Sequence, residues 1–232
     1  MKAFSPRERQ GVYRAIASRR DIRVFRSDPI PPAILARLLR AAHQGPSVGF
    51  MQPWNFIVID DAELKRCVHG MVIREKEAAA TDFAGQRRDI YRGLKLDGIL
   101  EAPINLCVTC DPTRFGPGVI GRHTIRETDL FSVCCAIENL WLAARAEGVG
   151  VGWVSILRSV ELRAILAIPE PVFPVAYLCV GFPNGFTDRP MLEAIGWAPR
   201  LELSDLVYVN GWGARSGAED LFRRLRDEGP LR

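Results

Sequence analysis

Residues 128–156 read TDLFSVCCAIENLWLAARAEGVGVGWVSI, and the division of this stretch into helix and strand decides the architecture. Thr128 or Asp129 is a helix-capping residue type, and Gly148 is a natural stop after Glu147. Between them Phe131, Val133, Cys134, Ile137, Leu140, Trp141 and Ala144 cover much of the circumference, which predicts a central helix buried on more than one side. Val149 to Ile156 then reads as a strand whose glycines let a neighbouring backbone or a ligand come close. The run G-V-G-V-G at 148–152 sits before and within this strand rather than opening a helix, so it is not a phosphate loop. No G-x-G-x-x-G follows the first strand either, where Ile59-Asp60-Asp61-Ala62 stands, and a Rossmann fold is excluded.

Outward from this core, short β-rich runs predict strands at Asn55 to Asp60, Ile104 to Cys110 and Pro174 to Phe182. Apolar spacing predicts helices over 6–20, with Pro6 in the first turn, and over Ala33 to His43, Glu63 to Gly70 and Glu161 to Ala167. Helices interleaved with about four strands indicate a layered α+β domain; a TIM barrel needs twice as many βα units. The polar segment from Arg74 to Arg92 reads as an exposed helix pair or as a mobile cover over a site. Leu206-Val207-Tyr208-Val209 in the tail is strand-like, without an obvious partner in its own chain.

A chain of 232 residues, 48% hydrophobic and 25% charged, buries a full core, and it reads as a single domain with elaborations. No apolar run approaches the roughly 18 residues of a membrane span. Met1 to Gln10 is charged where a signal peptide has an apolar core, so a cytoplasmic protein is expected, with no membrane partner. The net charge of +4 is spread among 27 acidic residues, which argues against nucleic acid. Cys107 and Cys110 form C-x-x-C on a strand, where residues three apart point to opposite faces, and Cys134-Cys135 supplies no second zinc pair. All six cysteines are therefore read as reduced and structural, His43, His69 and His123 as structural, and no metal is expected.

Arg19-Arg20-Asp21-Ile22-Arg23 places three guanidiniums within five residues. Arg forks match phosphate oxygens through paired, charge-assisted hydrogen bonds, so the cluster suits an anion. Asp21, among these cations, is expected to have a low pKa. A solvated helix end is the bland reading of the same residues.

Together with Gly45-Pro46-Ser47-Val48-Gly49-Phe50-Met51-Gln52-Pro53-Trp54-Asn55-Phe56 and the helix–strand pair from Asn139 to Trp153, this cluster resembles the FMN-dependent nitroreductase superfamily over nearly the whole chain. The resemblance implies a central mixed sheet flanked by helices, a homodimer with FMN at the subunit interface and a C-terminal extension, from about residue 200, that embraces the partner. It also implies a lid-like insertion around 70–100, and a phosphate held by the Arg pair and a late basic residue, for which Arg200 fits. Where the superfamily usually has Ser or Thr after the Arg pair, this chain has Asp21. With P-S-V-G-F-M-Q-P-W-N-F and G-W-V-S-I, that makes it similar to the branch that forms 5,6-dimethylbenzimidazole. That branch consumes reduced FMN and molecular oxygen, giving dimethylbenzimidazole, the lower ligand of cobalamin, and erythrose 4-phosphate. The reduced FMN comes from a separate flavin reductase.

On this resemblance Asp21 and Ser155 are the catalytic candidates. Arg19, Arg20, Asp21, Ile22, Arg23, Ser47, Gln52, Pro53, Asn55, Ser155 and Arg200 are the FMN-binding set, and Phe50, Met51, Tyr91 and Leu96 line or cover the pocket. Guanidiniums suit both the phosphate and the negative charge that a reduced flavin carries near N1, and a dry pocket favours fragmentation over peroxide release. The competing expectations are an NAD(P)H-dependent FMN nitro or quinone reductase on the same fold, and a non-catalytic flavin-binding protein.

Overall fold

The residues of the strand Ile104–Cys110 alternate between two buried faces. Leu106, Val108 and Cys110 join one apolar cluster, while Cys107 joins another. A strand buried on both sides belongs at the centre of a sheet covered above and below, and the computed structural model, which describes residues 3–227 and 229, places it there. In chain order the elements are α1 (Pro6–Ser18), α2 (Pro32–His43), β1 (Trp54–Ile59), α3 (Ala62–Ala79), α4 (Gly85–Gly93), β2 (Ile104–Cys110) and α5 (Thr128–Ala146). They continue with β3 (Gly150–Val154), α6 (Ser159–Ile165), β4 (Phe173–Gly181), α7 (Met191–Ala194) and α8 (Glu219–Asp227).

Residues 19–186 form one compact unit. Its sheet runs in the order β1-β2-β4-β3, so β1 and β3 are the edges. All three ladders are antiparallel; the mixed character expected of the sheet is confined to one parallel bridge, from Asp21 to Val151 of β3. On one face α2 and α5 enclose a cluster that includes Leu38, Leu106, Ile137, Leu140 and Leu178. On the other, α3 and α6 enclose Val68, Met71, Leu162 and Tyr177. Each such side chain contributes about 1.5–3 kcal/mol by leaving water. Cys107 and Cys110 do face opposite sides of the sheet, and burial pushes both thiols up to about 12.

Two readings of the central helix need correction. Thr128 lies inside the first turn of α5 and Asp129 is buried against Arg122 at 2.7 Å, so neither side chain caps the helix. Phe131 and Cys134 are exposed: with Cys135 and Glu138 they form a stripe opposite the buried Val133, Ala136, Ile137 and Leu140. Gly148 ends the helix as expected, with φ +73° and the Val149 N–H donating to the Ala144 carbonyl. The segment after β1 is a helix pair, in which α3 is capped by the Asp61 carboxylate and runs on to Ala79.

The described residues of 3–18 and 187–229 form a second unit. A capping box opens α1, with Ser5 N–H and Oγ–H donating to Glu8. No residue of α1 is buried, and Val12, Tyr13 and Ile16 are each more than 40% exposed. The strand-like reading of Leu206 to Val209 is not borne out: Leu206 ends a 3-10 turn, and the Val209 N–H closes a tight loop onto Ala214. Left-handed Asn210 and Gly213 shape that loop, and no ladder reaches it among the described residues.

Candidate active site

After α1 the chain runs extended along the free edge of β3. The Ile22 N–H donates to the Val151 carbonyl at 3.0 Å. The glycines of β3 allow this approach: a Cβ on Gly152 would lie 2.0 Å from the Ile22 carbonyl oxygen, and one on Gly150 would lie 2.9 Å from the Ile22 side chain. Close backbone contact is therefore what these glycines provide.

This contact sets Asp21 against β3. Its Oδ1 accepts the Trp153 N–H at 2.8 Å and its Oδ2 accepts from Arg23 Nη2 at 2.5 Å. Arg23 Nη2 also donates to the Trp153 carbonyl at 2.7 Å. Loss of solvent around the carboxylate raises the Asp21 pKa and outweighs the lowering by Arg23, the Trp153 N–H and Arg19, which overturns the expectation of a low value. The side chain is still 45% exposed, so one side of the carboxylate faces outward. Ser155 follows two residues after Trp153, exposed, beside a cavity of about 110 Å³ that Trp153, Leu162 and Pro174 also line.

Arg19 lies over the Trp141 ring at 5.0 Å and 3.6 Å from Glu138, and Trp141 Nε1–H donates to the Arg20 carbonyl at 3.2 Å. Trp141 thus anchors the Arg pair to α5, a role that its reading as a core residue missed. Arg200 stands exposed in the terminal unit.

The second group of predicted residues surrounds β1, at the opposite edge of the sheet. Ser47 Oγ accepts the Gln52 N–H at 3.0 Å, and Asn55 Nδ2 donates to Thr109 at 3.2 Å. Gly49, Phe50 and Gln52 all have positive φ, so the loop is tightly wound. Arg114 holds it: Nη1 donates to the Gln52 and Trp54 carbonyls at 2.6 and 3.0 Å, and Nη2 to Asn55 Oδ1 at 2.6 Å. Nothing in the sequence marked Arg114, a single Arg in a Pro- and Gly-rich loop. Leu39, Arg40, His43, Trp54 and Phe115 line an open groove of about 380 Å³ here.

Of the covering residues, Phe50 is 78% exposed, whereas Met51 is fully buried. Tyr91 is buried, with its ring 4.7 Å from Phe83, and Leu96 is half-buried. Four strand spacings separate β1 from the Asp21 segment, about 19 Å. Apart from Tyr91 and Leu96, the predicted residues of 19–186 therefore form two separate groups.

A flavin fits the Asp21 side on one observation in particular. Arg23 Nη1 is buried without an acceptor, a donor that a heteroaromatic edge satisfies.

Comparison with known proteins places the chain in a family. The model of the nitroreductase family matches residues 16–182. The chain is 43% identical over 197 residues to a 5,6-dimethylbenzimidazole synthase of Rhodospirillum rubrum, covering 85% of this chain and 93% of the relative. It is 38% identical over 200 residues to a protein of the same name from Rhodobacter capsulatus, covering 85% and 96%. An iodotyrosine deiodinase structure bound to FMN and 3-iodo-L-tyrosine shares the fold at a TM-score of 0.67 and 22% identity, covering 86% of this chain and 98% of that one.

Proposed function

The chain belongs to the nitroreductase family, and from that premise we propose that it fragments reduced FMN with molecular oxygen to 5,6-dimethylbenzimidazole, releasing erythrose 4-phosphate. The observation that carries the reading is the Asp21 carboxylate, fixed with one side open by Arg23 and by the N–H of Trp153, the β3 residue two positions before Ser155. The relatives named 5,6-dimethylbenzimidazole synthase support it.

Reduced FMN supplies the electrons that oxygen takes up and the ring from which the product is made. Arg19 and Arg20 hold its phosphate, and the buried Arg23 Nη1 donates to the ring edge. Asp21, with a pKa raised toward its working range, takes a proton at the outward side of its carboxylate from the ribityl chain. The Ser155 hydroxyl donates to the flavin edge.

Ser47, Gln52, Pro53 and Asn55 lie at the other edge of the sheet, and a second copy of the chain brings them to the flavin. The exposed stripe of Phe131, Cys134 and Cys135 on α5 suits such an interface. The apolar tail residues Leu201, Leu203 and Leu206, all more than half exposed, are covered by the partner, and α4 with its flanking loops closes over the pocket.

Incubation with FMN, a separate flavin reductase, NADH and air, followed by mass-spectrometric detection of dimethylbenzimidazole, tests the reading. Flavin reoxidation with peroxide release and no such product overturns it.

A further inference from the structure

The three guanidiniums of the N-terminal cluster are equivalent in sequence but not in space. Arg19 and Arg20 are held to α5 through Trp141. Arg23 turns the other way, with a side chain only 12% exposed, and lies against β3. Both hydrogens of its Nη2 are spent, one on Asp21 Oδ2 and one on the Trp153 carbonyl. Asp21 Oδ1 takes the N–H of the same Trp153, so carboxylate, guanidinium and backbone close a ring.

The fit is enforced from below, because a Cβ on Gly152 would come within 2.9 Å of Arg23 Nη1 and 2.0 Å of the Ile22 carbonyl oxygen. A planar fork held at this many points has no freedom to turn toward a phosphate.

We propose that Arg23, beyond the donation of its Nη1 to the ring edge, positions Asp21: its Nη2 fixes the carboxylate against the Trp153 backbone, and the side chain takes no part in holding the flavin phosphate. The proposal rests on the reading of Asp21 as the group that acts on the flavin, and it divides the Arg cluster by role: Arg19 and Arg20 for the phosphate, Arg23 for the ring edge and for the orientation and charge of Asp21. The other groups facing Asp21 are Arg19 on its own segment and, from β4, the Cys179 thiol; β3 offers only the Trp153 N–H. Arg23 is thus the nearest cation, and removing its charge raises the proton affinity of the carboxyl group.

Two measurements that need no turnover decide the matter. The first is the ratio of FMN to riboflavin affinity, which isolates the phosphate. The second is the titration of the Asp21 carboxyl by carbon-13 NMR, with its resonance assigned by its loss in Asp21→Asn. In Arg23→Gln the affinity ratio is expected to stay within about twofold of the parent, since no phosphate hydrogen bond is lost. The carboxyl midpoint is expected to rise by about one pH unit or more. Arg23→Lys, which keeps the charge and guards against misfolding of the Gln variant, is expected to restore most of the midpoint.

Where dimethylbenzimidazole is formed, the acid limb of its pH–rate profile moves upward with the carboxyl midpoint in Arg23→Gln. A tenfold fall in the FMN-to-riboflavin ratio overturns the proposal, as does an Asp21 midpoint that does not move. A parent protein that makes no dimethylbenzimidazole instead overturns the functional reading, and the ratio and the titration still decide the role of Arg23.

Discussion

Asp21 stands at a balance between desolvation, which favours the neutral acid, and Arg23 with the Trp153 N–H, which favour the anion. Desolvation is the larger, so the native carboxyl binds its proton more tightly than the unfolded one. The sign follows: the ionised group costs stability above its native pKa, and that cost disappears as pH falls through the carboxylate range. Asp21→Asn is therefore expected to raise the melting temperature at pH 7, with the difference shrinking as pH is lowered toward 4, as thermal unfolding at several pH values will show. In the same variant flavin binding should persist while dimethylbenzimidazole formation falls by about 10²–10⁴, the usual range for loss of a general base. Undiminished product would leave Asp21 as a mere partner of the Arg cluster. Gly152 tests the backbone beneath it. Gly152→Ala drives a methyl group into the Ile22 carbonyl and is expected to cost about 1–3 kcal/mol in urea unfolding and to weaken flavin binding. Gly185→Ala, with nothing within 4 Å, should stay within about 0.5 kcal/mol.

At the level of elements, two edge strands carry the two halves of the candidate site. The edge of β3 is covered by the Asp21 segment, whereas β1 meets a loop wound through positive φ at Gly49, Phe50 and Gln52. That loop keeps its shape because Arg114 satisfies two of its carbonyls and orients Asn55. Arg114→Gln removes hydrogen bonds to a charged donor and is expected to cost about 1.5–3 kcal/mol in stability. Flavin affinity should fall with it if the loop of one copy serves the flavin of another. A variant with parent-like unfolding and flavin titrations would show that Arg114 is dispensable to the loop.

For the whole molecule, the six thiols report assembly. Burial pushes Cys107, Cys110 and Cys179 up to about 12, and they should resist a thiol reagent at pH 8 until the protein unfolds. Cys67 on α3 and Cys134 and Cys135 on α5 are exposed in the single chain. A dimer that covers the α5 stripe leaves Cys67 reactive and protects Cys134 and Cys135, with protection lost on dilution to monomer. Equal labelling of all three, with a single-chain mass in sedimentation that still binds FMN, would count against the dimer. Electrons should arrive as reduced FMN made elsewhere, so NADH alone should bleach bound flavin slowly; rapid bleaching would point to an NAD(P)H-dependent reductase.

The four strands of the sheet, the long helix up to Gly148, the exclusion of a Rossmann fold and the cluster Arg19 to Arg23 were all legible in the sequence, because apolar periodicity, glycine stops and repeated charge are local properties of a chain. It also carried the family, through motifs whose order and spacing survive without coordinates. The missing side-chain cap of α5, the exposure of Phe131 and the loss of the strand expected at Leu206 to Val209 were decided only in three dimensions, since each depends on what lies across from a residue rather than beside it. The raised pKa of Asp21 is of the same kind. Its charged neighbours are visible in the sequence and argue for a low value, but the solvent it loses against β3 is a property of packing alone. Arg114 and the different fates of three neighbouring arginines were settled in the same way, by distances of 2.6–3.0 Å between groups that the chain separates by dozens of residues.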